Sequence, residues 1–294
     1  MTRNALERLL RPRSIAVVGA SPEPASVSGL LLTNIGRFDY GGDLHLVSRS
    51  RDEVNGRPCL KSIDDLPEGV DAAVLVVPQV AVYDSVEACG KRGVGGAIIF
   101  ASGFSELGDE GRAAQDRLAD MARGYGMALL GPNCMGFVNF SDHVPLTFEP
   151  VPARKTMTGL KVAIIAQSGA MNGNLRAGLT ARGVNVSFSL STGNEAVTSA
   201  EDLLSALIDA EDVDAFAIFV EMLRKPALFL KAVARARALG KPVVLMHPGR
   251  SQLRGPPRGE RPKIGRLRLG HRADQRQPGV RLGGGLEPHD PLRE

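Results

Sequence analysis

Cysteine is scarce and scattered: Cys59, Cys89 and Cys134 are the only three, and no CxxC or CxxH spacing joins them. That argues against a zinc site and a disulfide framework, and it fits a reducing cytoplasm. No apolar run approaches the ~20 residues that cross a bilayer. Residues 1–13 lack the apolar core of a signal peptide, so a soluble, cytoplasmic protein with no membrane partner is expected. GxSxG, HExxH, GxxxxGKS/T and DxDxDG are missing as well, which disfavours serine hydrolase, zinc protease, P-loop ATPase and EF-hand chemistry. What the chain does hold is the balance of a folded protein: 294 residues, 43% hydrophobic and 23% charged, enough for about two domains and inconsistent with disorder or collagen. The net charge of +4 is uneven, because ten Lys/Arg against five Asp/Glu fall between 251 and 294, leaving 26 basic and 27 acidic groups elsewhere. The body is neutral and only its tail is basic, so charge does not argue for a nucleic-acid partner.

Short apolar runs alternate with amphipathic stretches. Strands are expected at 14–18, 44–47, 72–77, 97–100 and 128–130, then at 162–166, 186–190, 215–220 and 242–246. Most are continuously apolar, as strands covered on both faces should be. Helices are expected at 80–92, 110–124, 169–182, 200–208 and 227–239. Strand and helix in alternation give parallel sheets with right-handed crossovers. The rhythm breaks once, between 131 and 159, where Pro132, Pro145, Pro150 and Pro152 crowd a stretch with little period. This sets expected divisions at 1–150, 151–250 and an atypical tail at 251–294. In the tail Arg, Gly and Pro make up about half the residues, with no aromatic residue to stack on RNA bases. It is expected not to pack, and a change of reading frame would account for the break.

In open parallel sheets ligands sit at the carboxyl ends of the strands. After the first strand comes Gly19-Ala20-Ser21-Pro22-Glu23-Pro24-Ala25-Ser26, leading into a helix from about Ser28. Gly19 permits a tight turn, and Ser21, Ser26 and the helix-end amides can receive phosphate oxygens. The strict GxGxxG pattern is absent. The second strand ends in Val47-Ser48-Arg49-Ser50-Arg51, where an NAD site would place an acid on the ribose. Two arginines there favour a phosphorylated ribose, either the 2′-phosphate of NADP or the 3′-phosphate of coenzyme A.

Further loops read Val76-Val77-Pro78, Phe100-Ala101-Ser102-Gly103-Phe104 and Leu130-Gly131-Pro132-Asn133-Cys134-Met135-Gly136, followed by Ala166-Gln167-Ser168-Gly169-Ala170, Ser191-Thr192-Gly193-Asn194-Glu195-Ala196 and Ala200-Glu201-Asp202. In order and spacing these resemble the signatures of the NDP-forming acyl-CoA synthetases, relatives of the succinyl-CoA synthetase alpha subunit, over roughly Asn4 to Ser251. The resemblance implies a Rossmann-like CoA-binding domain followed by an incomplete flavodoxin-like domain. It implies that Gly19, Ala20 and Ser21 wrap the CoA pyrophosphate, with Arg49 or Arg51 near the nucleotide phosphates. Val77, Pro78, Ser102 and Gly103 would line the adenine and pantetheine path, and Asn133 the thiol end. Ala25 and Ser28 stand where many relatives have glycine.

The family reaction turns acyl-CoA, phosphate and NDP into acid, CoA and NTP through an acyl phosphate and a phosphohistidine. By the resemblance, Glu221 would orient that histidine, and Ser168 and Gly169 would open a helix that receives the phosphoryl group. Taken alone, Glu221 also reads as a strand-end acid pairing with Arg224 or Lys225. The histidine itself is missing: relatives run from a GRS segment, here Gly249-Arg250-Ser251, through about ten residues into SHTGA, and this chain does not. His45, His143, His247, His271 and His289 all have other neighbours. No ATP-grasp domain follows, so an ATP-grasp beta-type partner would supply the nucleotide half. An NADP-binding oxidoreductase and a non-catalytic CoA sensor or scaffold are the alternatives.

Overall fold

The computed structural model describes residues 3–153 and 157–248. The expected tail, with its two histidines, lies outside them. The first part of the chain runs α1 (Ala5–Leu10), β1 (Ser14–Val18), α2 (Val27–Arg37), β2 (Asp43–Val47), β3 (Glu53–Val54), β4 (Arg57–Leu60), β5 (Ala72–Leu75), α3 (Val82–Lys91), β6 (Gly96–Ile99), α4 (Asp109–Gly124) and β7 (Ala128–Leu130). It continues through β8 (Gly136–Asn139), β9 (Val144–Leu146), β10 (Lys161–Ala166), α5 (Gly169–Ala181), β11 (Asn185–Ser191), α6 (Ala200–Leu207), β12 (Ala215–Phe219), α7 (Pro226–Ala238) and β13 (Val243–Met246). No described helix is long and apolar enough to cross a membrane.

Two sheets result. The first has the order β3-β4-β2-β1-β5-β6-β7 and the second β13-β12-β10-β11-β8-β9. In the first, β1 pairs in parallel with β2 on one side and β5 on the other, so the strand order reverses between β1 and β5. In the second, β10 pairs in parallel with β11 and β12, and the reversal lies between β10 and β12. Crevices at such reversals are where open α/β sheets receive ligands. The central strands β5 and β6 are buried at every residue, as their unbroken apolar runs require. Helix starts follow side-chain caps: Ser26 accepts from Gly29 N in α2, and Ser199 forms a capping box with Asp202 in α6.

The stretch expected to have little regular structure contributes β8 and β9, an antiparallel pair at the edge of the second sheet. These strands are four and three residues long, too short for a period to show, and Pro145 lies inside β9. An edge strand tolerates such a proline because one row of its amides needs no ladder partner. The small β3–β4 hairpin at the edge of the first sheet was hidden for the same reason. Strand β13 reads as a buried run, yet Val244 is 58% exposed because β13 is the sheet's outer strand.

The segment around α1 fastens both sheets. Asp71 accepts from Arg3 Nη1, Arg8 Nε and Arg13 N, each at 2.8 Å. Arg11 pairs with Asp142 at 2.5 Å and Asp212 at 2.6 Å, its guanidinium 5.1 Å from the Phe188 ring centroid. Burial opposes ionisation of Asp71, but the Arg13 amide and the two guanidiniums outweigh it and hold the carboxyl below its ordinary range. A carboxyl depressed in this way lends stability that is complete above its unfolded pKa of about 3.9 and lost as pH falls through the folded value. Asp71→Asn is therefore expected to cost about 2 kcal/mol at pH 7. Urea melts should show the gap to wild type closing as pH falls below about 3.9; a gap that stays constant with pH would assign the loss to packing instead.

Candidate functional site

At the first reversal, Gly19 takes φ +88, and a Cβ there would lie 2.1 Å from Val76 O. Glycine is needed so that the end of β1 can pass the end of β5. In the loop expected to wrap the phosphates, the Gly19 and Ala20 amides both donate to Val47 O, at 2.9 and 3.0 Å, and the Ser21 amide donates to Ser28 Oγ at 3.1 Å. Ser28, 1% exposed, thus uses its hydroxyl to hold the loop. The groups left for an anion are the Val27 and Ser28 amides, which have no intrahelical acceptor, and the half-buried Ser21 hydroxyl; the Ser26 hydroxyl already donates to Glu23 O at 2.7 Å and accepts from Gly29 N at 3.0 Å. Arg49 and Arg51 are exposed beyond β2, and neither makes an ion pair among the described residues. Val77 and Gly103 are half-buried, Pro78, Ser102 and Asn133 exposed. All belong to loops following β5, β6 and β7.

At the second reversal, Ser168 caps α5 by accepting from Met171 N, and the Met135 side chain lies against Gly169. Glu221 follows β12 with its carboxylate exposed and unpaired among the described residues. The pairing with Arg224 or Lys225 does not form, since Arg224 Nε lies 3.5 Å from Glu195 Oε2 and Lys225 Nζ pairs with Asp202.

Sequence reasoning missed what the polar signature residues do here. Gln167 Oε1 accepts from the Glu221 and Met222 amides at 2.6 and 3.1 Å, while its Nε2 donates to Met222 O at 2.7 Å and Glu195 Oε2 at 2.9 Å. Glu195 Oε1 accepts from Thr192 Oγ1 and Ala200 N, both at 2.9 Å. Burial pushes the Glu195 carboxyl up, against those hydrogen bonds. Glu201, 0% exposed, accepts from Lys225 N at 2.8 Å. Together these residues grip residues 221–225. The only signal in the sequence was the density of polar residues directly after buried strands.

The two sheets meet along one seam. Asn194 N donates to Pro132 O, Ala196 N to Gly131 O and Thr198 N to Leu129 O, so this segment lies along the free edge of β7. Gly193 enters it at φ +59, where a Cβ would lie 2.4 Å from Pro132 O. Glu106 Oε1 accepts from the Gly103 and Phe104 amides at 2.5 and 3.2 Å, and its Oε2 accepts from Asn194 Nδ2 at 2.5 Å. Asn133 Nδ2 donates to Asn194 Oδ1 at 3.3 Å. A cavity of about 340 Å³ between α2, β2 and the β3–β4 hairpin involves none of these loops.

Residues 13–139 match the CoA binding domain family, and residues 160–257 the succinyl-CoA ligase like flavodoxin domain family. The chain is 43% identical to a trans-feruloyl-CoA synthase of an unknown prokaryotic organism, over 84% of this chain and 35% of that protein. It is 35% identical to the alpha subunit of an ADP-forming acetate–CoA ligase of Pyrococcus furiosus, over 84% of this chain and 54% of the relative. Among solved structures, the dinucleotide forming acetyl-coenzyme A synthetase 1 of Ca. Korarchaeum cryptofilum, in complex with phosphate and ADP, is similar with a TM-score of 0.76 at 32% identity, over 84% of this chain and 52% of that one. The chain spans about a third to a half of the curated relatives' length.

The grip on residues 221–225 is testable without any ligand. Gln167→Ala removes the acceptor of two amides, so the exchange of the Glu221 and Met222 amides should quicken about tenfold or more. Amides inside β10 should keep their wild-type rates. Hydrogen exchange followed by NMR reads both, and unchanged protection at 221 and 222 would show that the loop holds itself.

Proposed function

The chain belongs to the NDP-forming acyl-CoA synthetase family, and on that premise we propose that it binds coenzyme A or acyl-CoA across the carboxyl ends of the first sheet, as the alpha-subunit-like part of an acid–CoA ligase. The observation that carries this reading is the exposed Arg49 and Arg51 at the end of β2, unpaired among the described residues and beside the reversal at Gly19. An anion there meets two cations that must give up no other partner. The pyrophosphate would rest on the start of α2, with the Val27 and Ser28 amides and the Ser21 hydroxyl as donors. The 3′-phosphate would take Arg49 and Arg51. The adenine would lie by Val77 and Pro78, and the pantetheine arm would run past Ser102 and Gly103 toward Asn133.

In the whole reaction, acyl-CoA, phosphate and NDP give acid, CoA and NTP. The second reversal supplies the supports for a phosphohistidine: the start of α5 at Ser168 and Gly169 for the phosphoryl oxygens, and the Glu221 carboxylate for the ring nitrogen. The unpaired state of Glu221 favours that role over a structural ion pair. The histidine-bearing SHTGA segment is not found where relatives carry it after Gly249-Arg250-Ser251, and an ATP-grasp partner would be needed for the nucleotide. The chain would then hold acyl-CoA without passing phosphate on.

Calorimetric titration with CoA, dephospho-CoA and NADP tests the first part. CoA should bind at least about ten times more tightly than either, since charge-assisted contacts to phosphate contribute about 1.5 to 3 kcal/mol each. Replacing both arginines by alanine should bring CoA down to dephospho-CoA. Tighter binding of NADP than of CoA would move the protein to the oxidoreductases. For the second part, the chain incubated with acyl-CoA, labelled phosphate and ADP should form no ATP and acquire no acid-labile label, because losing the group that forms a covalent intermediate costs several powers of ten in rate. Label on His247 or His271, lost on mutation to Asn, would show that the phosphorylated residue had moved.

A further inference from the structure

Two loops that follow different strands meet at one carboxylate, and a third loop stands behind one of them. Glu106 lies on the short turn Ser105–Leu107 after β6, next to Phe104, which is 0% exposed and anchors the turn in the core of the first sheet. From there it reaches back to the Gly103 and Phe104 amides and across to Asn194 Nδ2 of the loop after β11. Asn194 cannot turn its amide around without loss, because its Oδ1 already accepts from Asn133 Nδ2 of the loop after β7. The partner facing it must therefore be an acceptor, and the partner facing the two backbone amides must be an acceptor too. Only a carboxylate offers acceptors at both ends. Burial opposes its ionisation, but the hydrogen bonds from Asn194 and the amides prevail and hold the carboxyl below its ordinary range.

From this geometry we propose that Glu106 is a positioning residue for the pantetheine arm: it holds the Gly103–Phe104 loop against Asn194, so that the arm meets a preformed channel with one wall from each sheet. The inference rests on the reading of the first-sheet ends as a CoA site. Pre-ordering a channel raises affinity by removing an ordering cost from the binding step. The gain falls chiefly on the arm, because the start of α2, Arg49 and Arg51 stand on loops that Glu106 does not touch.

The test uses the full chain and two ligands, CoA and adenosine 3′,5′-bisphosphate, which keeps a nucleotide end and lacks the arm. Glu106→Ala should weaken CoA about tenfold and leave the bisphosphate within about twofold. Glu106→Gln keeps the acceptor for the backbone amides but turns a donor on Asn194 Nδ2, and should weaken CoA about threefold. Adding Asn194→Asp to it restores a donor–acceptor pair and should return CoA affinity to within about twofold of wild type. An unchanged ratio of the two affinities in Glu106→Ala, or a double variant no better than Glu106→Gln, would overturn the assignment while CoA binding itself stands. A wild-type chain that binds no CoA would overturn the CoA site and this inference together.

Discussion

Three backbone hydrogen bonds tie the two sheets together along one edge: Asn194 N to Pro132 O, Ala196 N to Gly131 O and Thr198 N to Leu129 O. They let a segment that follows the second sheet's β11 cover the exposed edge of the first sheet's β7. An uncovered edge would present unpaired amides and carbonyls to solvent and to other chains. Covering it from within the chain solves that problem, and it also fixes where the strand ends of the two sheets face one another. Because backbone pairs depend on register, a slip by one residue would turn Glu195 out of its buried position. The edge contact and the placement of the polar residues are thus one constraint.

That constraint explains why residues that look like ligand contacts serve other groups. Gln167, Glu195, Glu201 and Asp202 face the loop at 221–225, where they hold its amides, its Arg224 guanidinium and its Lys225 ammonium. Buried polar groups are costly unless each is satisfied, and a satisfied network rigidifies whatever it holds. What it holds here includes an exposed carboxylate without a partner among the described residues, Glu221. The loop after β1 follows the same pattern: Gly19, Ala20 and Ser21 spend their amides on internal acceptors.

The sequence by itself determined the class of fold and the positions of most elements. Runs such as Ile15-Ala16-Val17-Val18 and Ala72-Ala73-Val74-Leu75 are too apolar to stand anywhere but inside a doubly covered sheet, and Ser26 and Ser199 mark helix starts by chemistry that is local. It also located Arg49, Arg51, Ser168 and Glu221 at strand ends, since a strand end is visible wherever an apolar run stops. Only the tertiary structure decided which strands neighbour one another, that residues 136–146 join the second sheet, and that Arg224 and Lys225 turn from Glu221 to Glu195 and Asp202. Glu106 belongs to the same class: nothing within a few residues of it hints at Asn194, 88 positions away. Propensity and capping act over one helical turn or less, whereas these partners meet only after two sheets have packed along a shared edge.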